Sequence, residues 1–180
     1  MSLSSIFEQA VNRGADRDFI HVPLAATRGY SSDEVTLTYG QAAQRIQHLT
    51  AEYAAAGYGR GHRVGLAFDN RADFFLHFLA LNALGASVVP LNGAMTREEL
   101  AYILAHSDAA LVVAHEGHEA RVRQALPMDS ALAIGAEPRG LAAPRRPAAA
   151  APAEVALLYT SGTTGTPKGC ILDSAYFDQV

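Results

Sequence analysis

Between Arg63 and Ala114 the chain reads RVGLAFDNRADFFLHFLALNALGASVVPLNGAMTREELAYILAHSDAALVVA, and this stretch decides the fold. Arg63 to Phe68 is short, apolar and β-prone, as a buried strand is. Asn70 is placed to cap a helix carrying Phe74, Phe75, Phe78, Leu79 and Leu81, which Gly85 closes. Ser87 to Leu91 reads as a second buried strand. Thr96-Arg-Glu-Glu99 has the spacing of a capping box, with Leu100, Ile103 and Leu104 behind it. Ala109 to Ala114 is a third continuous apolar run. Apolar strands alternating with amphipathic helices predict an α/β fold: a mostly parallel sheet with helices on both faces. Phe75, Phe78, Leu79, Ile103, Val112 and Val113 are expected in its core.

The same alternation extends in both directions. Residues 4–13 have a helical apolar face made by Ile6, Phe7, Ala10 and Val11, and Asp18 to Val22 and Glu34 to Thr38 read as short strands. Thr38-Tyr-Gly-Gln41 is another capping box, followed by Ala42, Ile46, Leu49 and Tyr53 at helical intervals and by Gly57 as a stop. Toward the C-terminus, a weaker helix is predicted over 116–126 and a strand over 131–134. Residues 135–153 then lose all period. Pro138, Pro144, Pro147 and Pro152 fall there among alanines, so this segment is expected to be a mobile surface connection, with Arg145 and Arg146 solvated. Strand character returns from Glu154 to Tyr159.

Composition narrows the function classes. The chain has 180 residues, suiting one domain, and 49% hydrophobic residues argue against disorder. A net charge of −4 provides no general attraction to nucleic acid or anionic lipid. Phe74 to Leu91 is the longest apolar stretch, but His77, Asn82, Gly85, Ser87 and Pro90 interrupt it, so no membrane span is expected. The N-terminus lacks the basic start and apolar core of a signal peptide. Cys170 is the single cysteine; it excludes an internal disulfide and fits a reducing compartment, and it is expected to be a small buried residue on a strand. His115 and His118 stand three apart without a third clustered ligand, so no metal site is expected there.

Chemistry concentrates in Tyr159-Thr-Ser-Gly-Thr-Thr-Gly-Thr-Pro-Lys-Gly169. Thr160, Ser161, Thr163, Thr164 and Thr166 supply hydroxyls. Gly162, Gly165 and Gly169 let consecutive N–H groups turn toward one anion. Lys168 adds a point charge able to follow a phosphate. Lying directly after an apolar strand, the loop falls where ligands of open α/β sheets bind. Pro167 and Gly169 occupy the places where a Walker A loop needs glycine and Ser/Thr, and the pattern is not G-x-G-x-x-G either. In the absence of ligand, 160–169 is expected to be mobile.

Ser161-Gly-Thr-Thr-Gly-Thr-Pro-Lys-Gly169 resembles the phosphate-loop signature of the adenylate-forming (ANL) superfamily, which contains acyl-CoA synthetases and other AMP-dependent ligases. Eight specified residues at about 6% usage each coincide by chance on the order of 10⁻¹⁰ per position, so accident does not explain the match. Leu37-Thr-Tyr39, the Gly57/Gly61 turn before Arg63-Val-Gly-Leu66, and Gly85-Ala-Ser-Val-Val-Pro-Leu91 resemble further blocks of that family, in order. Residues 3 to 177 are covered. Two positions depart from the pattern: His62 stands where aspartate is common, and Asp173-Ser174 where a Thr/Ser-His or Ser-Asn pair is common.

The resemblance implies the N-terminal portion of an AMP-binding large domain, spanning 1–180, with the rest of the enzyme beyond it. The implied reaction joins a small-molecule carboxylate to ATP, with Mg²⁺, and passes the acyl group to coenzyme A, whose contacts would lie outside this segment. Lys168 is implied as catalytic. Thr160, Ser161, Gly162, Thr163, Thr164, Gly165, Thr166, Lys168 and Gly169 are implied as nucleotide-binding. The chain alone is expected to be inactive and to leave a sheet edge or apolar face open. Alternatives are a peptide-synthetase adenylation domain loading a carrier protein and a non-enzymatic nucleotide- or partner-binding module. A cytoplasmic location, a place in fatty acid metabolism and compatibility with a homo-oligomer complete what the resemblance suggests.

Overall fold

Capping boxes and apolar periods place the elements close to where the sequence puts them. The computed structural model of the chain describes residues 3–27, 31–151, 153–160 and 167–177. In chain order these form α1 (Leu3–Arg13), β1 (Asp18–Val22), α2 (Leu24–Thr27), β2 (Val35–Thr38), α3 (Tyr39–Ala56), β3 (Arg63–Ala67), α4 (Ala72–Ala83) and β4 (Ser87–Pro90). There follow α5 (Arg97–His106), β5 (Leu111–Ala114), a 3-10 turn (Glu116–His118), α6 (Glu119–Ala125), β6 (Ala131–Ile134), β7 (Glu154–Thr160), β8 (Lys168–Asp173) and α7 (Ser174–Phe177).

Both capping boxes form. Thr38 accepts from the Gln41 N–H while the Gln41 side chain accepts from the Thr38 N–H, and Thr96 and Glu99 do the same at α5. Gly57 ends α3 in the left-handed region (φ 92°), which costs glycine little because it has no Cβ.

Six strands make the main sheet in the order β6-β5-β3-β4-β7-β8. Every neighbouring pair is parallel except β7 with β8, and β1 and β2 form a separate antiparallel pair. Alternation along the buried strands feeds two cores. Val64, Leu66, Val88, Leu111 and Val113 pack with Ile46, Leu49 and Tyr53 of α3 and Leu76, Ala80 and Leu81 of α4. On the opposite face Ala67, Val89, Val112, Ala114 and Leu157 meet Leu100, Ile103 and Leu104 of α5 and Val122 of α6. The expected mostly parallel α/β architecture with both faces covered is therefore present.

Four expectations need correction. Ile103, Val112 and Val113 are buried, but Phe78 and Leu79 are only half-buried and Phe75 is 51% exposed. A helix offers the sheet a limited stripe, and in α4 Ala72, Leu76 and Ala80 occupy it, which turns Phe75 outward. Asn70 does not cap α4. The N-cap is Arg71, whose side chain makes no capping bond, and its N–H lies 2.6 Å from the Asp69 carbonyl in a tight local turn. Cys170 is exposed, because β8 is an edge strand with most of its residues exposed. Finally, Arg146 is not a solvated loop residue. Its guanidinium bonds Asp108 at 2.7 Å and Asp129 at 2.6 Å.

Arg146 belongs to the irregular 135–153 segment, which must carry the chain from edge strand β6 past β5, β3 and β4 to β7. It is tied along the way. Ala136 accepts from the His77 ring at 3.0 Å, the Tyr58 hydroxyl donates to the Ala142 carbonyl at 2.9 Å, and Ala149 and Ala150 N–H groups both donate to the Gly61 carbonyl. No helix among the described residues is long and apolar enough to cross a membrane.

Candidate functional site

Parallel strands bring their carboxyl ends to one edge of the sheet, so the turns after β3, β4 and β5 share that edge with the carboxyl end of β7. β7 is anchored at its start. The Glu154 side chain is fully buried, and its two oxygens take a two-pronged hydrogen bond from Arg63, each at 2.7 Å. The Ser87 hydroxyl donates to the same carboxylate at 2.8 Å and the Ala151 N–H at 3.3 Å. Burial alone would raise the Glu154 pKa. The bonds from Arg63 and Ser87 outweigh it and hold the group below the ordinary carboxylate value. This network joins β7 to β3 and β4 at the end away from the glycine-rich loop. Near the other end Tyr159 shares a 2.7 Å hydrogen bond with His106 of α5, and burial pushes its phenol up to about 12.

Thr160 ends β7 and Lys168 opens β8, and the two are direct cross-strand partners; Tyr159 pairs with Gly169 one step further in. Thr160, Lys168 and Gly169 are exposed. Lys168 makes no ion pair with any described residue. The expected site residues Ser161, Gly162, Thr163, Thr164, Gly165 and Thr166 lie outside the described residues, as does most of the segment expected to be mobile. The visible part is thus the root of a hairpin at the carboxyl end of β7, with a hydroxyl and an ammonium on adjacent strands.

A second cluster, one the sequence does not announce, occupies the same edge. Asp69 follows β3, and His115 and His118 follow β5. His115 Nε2 lies 3.0 Å from Asp69 Oδ2 and His118 Nε2 2.9 Å from Oδ1. The Gly117 N–H donates to His115 Nδ1 at 3.0 Å, so the His115 proton sits on Nε2 and points at Asp69. The bond from His118 pulls the Asp69 pKa down; burial opposes it, and the bond from His115 and the charges of both rings carry the balance below the ordinary value. Gly93, after β4, closes the group. A Cβ there would lie 2.7 Å from the His118 ring and 2.8 Å from Asp69 Oδ1. The third clustered group that the two histidines lack in sequence is therefore supplied by Asp69, 46 residues before His115. Asp69 directly before Asn70 reads locally as turn chemistry, so no local signal marked it.

Solved structures share this architecture. A fatty acyl CoA synthetase of Mycobacterium tuberculosis superposes with a TM-score of 0.75 at 20% identity, over 96% of this chain and 34% of that one. The likeness shows a shared fold. A sequence model of the AMP-binding enzyme family matches residues 7–177, and the chain belongs to that family. Among curated relatives, the sulfoacetate–CoA ligase of Cupriavidus necator is 39% identical over 149 residues, covering 76% of this chain and 29% of the relative. A linear gramicidin synthase of Brevibacillus parabrevis is 31% identical over 165 residues, covering 88% of this chain and 3% of the relative. The chain thus spans only a minor part of the length of these relatives.

Proposed function

We propose that the chain supplies the phosphate-handling part of an ATP-dependent enzyme that activates a carboxylic acid as its acyl-adenylate and transfers the acyl group to a thiol. One observation carries this reading. A glycine- and hydroxyl-rich stretch with a single lysine leaves the carboxyl end of a buried parallel strand, inside a chain of the AMP-binding family. In this reading 1–180 is part of a larger adenylating domain, and the substrate carboxylate attacks the α-phosphate of ATP as pyrophosphate departs. The carboxylate is already ionised at neutral pH, so no general base is required. Lys168, the hydroxyls of Thr160, Ser161, Thr163, Thr164 and Thr166, and N–H groups around Gly162, Gly165 and Gly169 stabilise charge gathering on the leaving pyrophosphate. The exposed Lys168 ammonium, which has no ion pair among the described residues, fits that anion. The described root residues Thr160, Lys168 and Gly169 offer Mg²⁺ no carboxylate.

Coenzyme A is the proposed acceptor, in keeping with the sulfoacetate–CoA ligase likeness. The likeness to the linear gramicidin synthase favours a second reading, transfer to the carrier protein of a peptide synthetase. A cytoplasmic enzyme fits either.

The test is ATP–pyrophosphate exchange by the enzyme that contains this chain, across a panel of carboxylates. Exchange should depend on the carboxylate, and Lys168→Ala should lower it about 10- to 150-fold, the weight of one charge-assisted contact of about 1.5–3 kcal/mol. Thioester formation from supplied acyl-adenylate should suffer less, because pyrophosphate has already left. Equal damage to both half-reactions would refute the role of Lys168, and absence of exchange with every acid would refute the activity. Trapping the product on coenzyme A or on a carrier protein separates the two acceptors.

A further inference from the structure

We infer that Asp69, His115 and His118 form a binding site for a zinc-type transition-metal dication, separate from the nucleotide chemistry proposed above. The ligand atoms of the three side chains all lie within 4.8 Å of one another, close enough to surround one ion with little movement. Two imidazole nitrogens and a carboxylate oxygen suit a borderline metal such as Zn²⁺ or Co²⁺, whereas Mg²⁺ and Ca²⁺ prefer oxygen throughout. The set comes from the turns that follow two adjacent strands, Ala67 at the end of β3 standing beside Ala114 at the end of β5. The histidine side chains are largely covered, at 14% and 15% exposure, while that of Asp69 is 57% exposed. The rings are thus held in place while the carboxylate side stays open to an arriving ion and to a water or outside ligand in the fourth position. Gly93 lets the backbone after β4 pack against the pair, since a Cβ would press on both His118 and Asp69.

Without metal, the Nε2 protons of the rings satisfy Asp69. On binding, each neutral ring exchanges its Nε2–H for an Nδ1–H, and the freed Nε2 lone pairs meet the ion, with no proton released. For His115 this exchange breaks the Gly117 N–H bond to Nδ1 and shifts the 3-10 turn at Glu116–His118. His118 and Asp69 therefore contribute more to affinity than His115. A bound ion would cross-link the turns after β3 and β5, on the edge from which the glycine-rich loop also leaves.

Titration of the 180-residue chain with Co²⁺, followed by displacement with Zn²⁺, tests the site. One equivalent of cobalt should produce the visible d–d bands of a low-coordinate complex, and zinc should remove them and raise the melting temperature. Asp69→Asn and His118→Gln should each weaken binding more than about tenfold and His115→Gln less, with unchanged far-UV circular dichroism. His48→Gln, which alters an exposed histidine on α3 outside the cluster, should change nothing. Absence of the bands at saturating cobalt, or equal affinity in a His115→Gln/His118→Gln double variant, would overturn the site and leave the trio as a hydrogen-bonded tie between loops.

Discussion

His77 shows how much one buried residue decides. It lies on α4 with no exposed surface, stacked on Phe68. Its Nε2 faces the Ala136 carbonyl, which can only accept, so Nε2 carries the proton and Nδ1 receives the Tyr53 hydroxyl at 2.6 Å. Both nitrogens are satisfied only in the neutral ring, and burial pushes the pKa down to about 4 from 6.5. Between these values the unfolded chain binds a proton that the folded chain refuses. Stability must therefore fall as pH drops from 6.5 toward 4, by about 3 kcal/mol for a shift of this size, and level off below. Urea denaturation across that range should show this slope in the wild type and its loss in His77→Gln. Parallel curves would contradict it. From sequence, His77 reads only as an interruption of an apolar run, because its partners lie 24 and 59 residues away.

At the scale of elements, local chemistry was readable where it acts within a few residues. Thr38 with Gln41 and Thr96 with Glu99 close their rings over three residues, so spacing alone identifies them. Thr38→Ala and Thr96→Ala should each cost about 1 kcal/mol in chemical denaturation, whereas Asn70→Ala should cost close to nothing, because Asn70 caps nothing. A comparable loss at Asn70 would show that the side chain does support the start of α4. The caps succeed and Asn70 fails for the same reason. A cap needs only its own helix, but the turn before α4 carries Asp69, whose carboxylate is held by two histidines from beyond β5. The glycine-rich hairpin is an intermediate case. Its residue types and its place after a strand are local facts, while the edge position that exposes Lys168 and Cys170 depends on β8 pairing, among the described residues, with β7 alone.

For the whole molecule, the sheet separates two cores. Ile46 belongs to the α3/α4 side and Ile103 to the α5/α6 side. Ile46→Val and Ile103→Val should each cost about 0.5–1.5 kcal/mol. The double variant should equal their sum within about 0.5 kcal/mol, because the sites lie on opposite faces of the sheet. A larger departure, measured by urea unfolding, would mean that strain crosses the sheet. The sequence by itself determined the alternation of strands and helices, the two capping boxes and the parallel α/β class, since each rests on residues a few positions apart. Only the tertiary structure decided which strands became neighbours. From that order follow the burial of Glu154 against Arg63, the capture of Arg146 by Asp108 and Asp129, and the meeting of Asp69 with His115 and His118. These contacts form when a sheet wide enough to bury two faces brings distant segments to one edge, and no local period records which segments those will be.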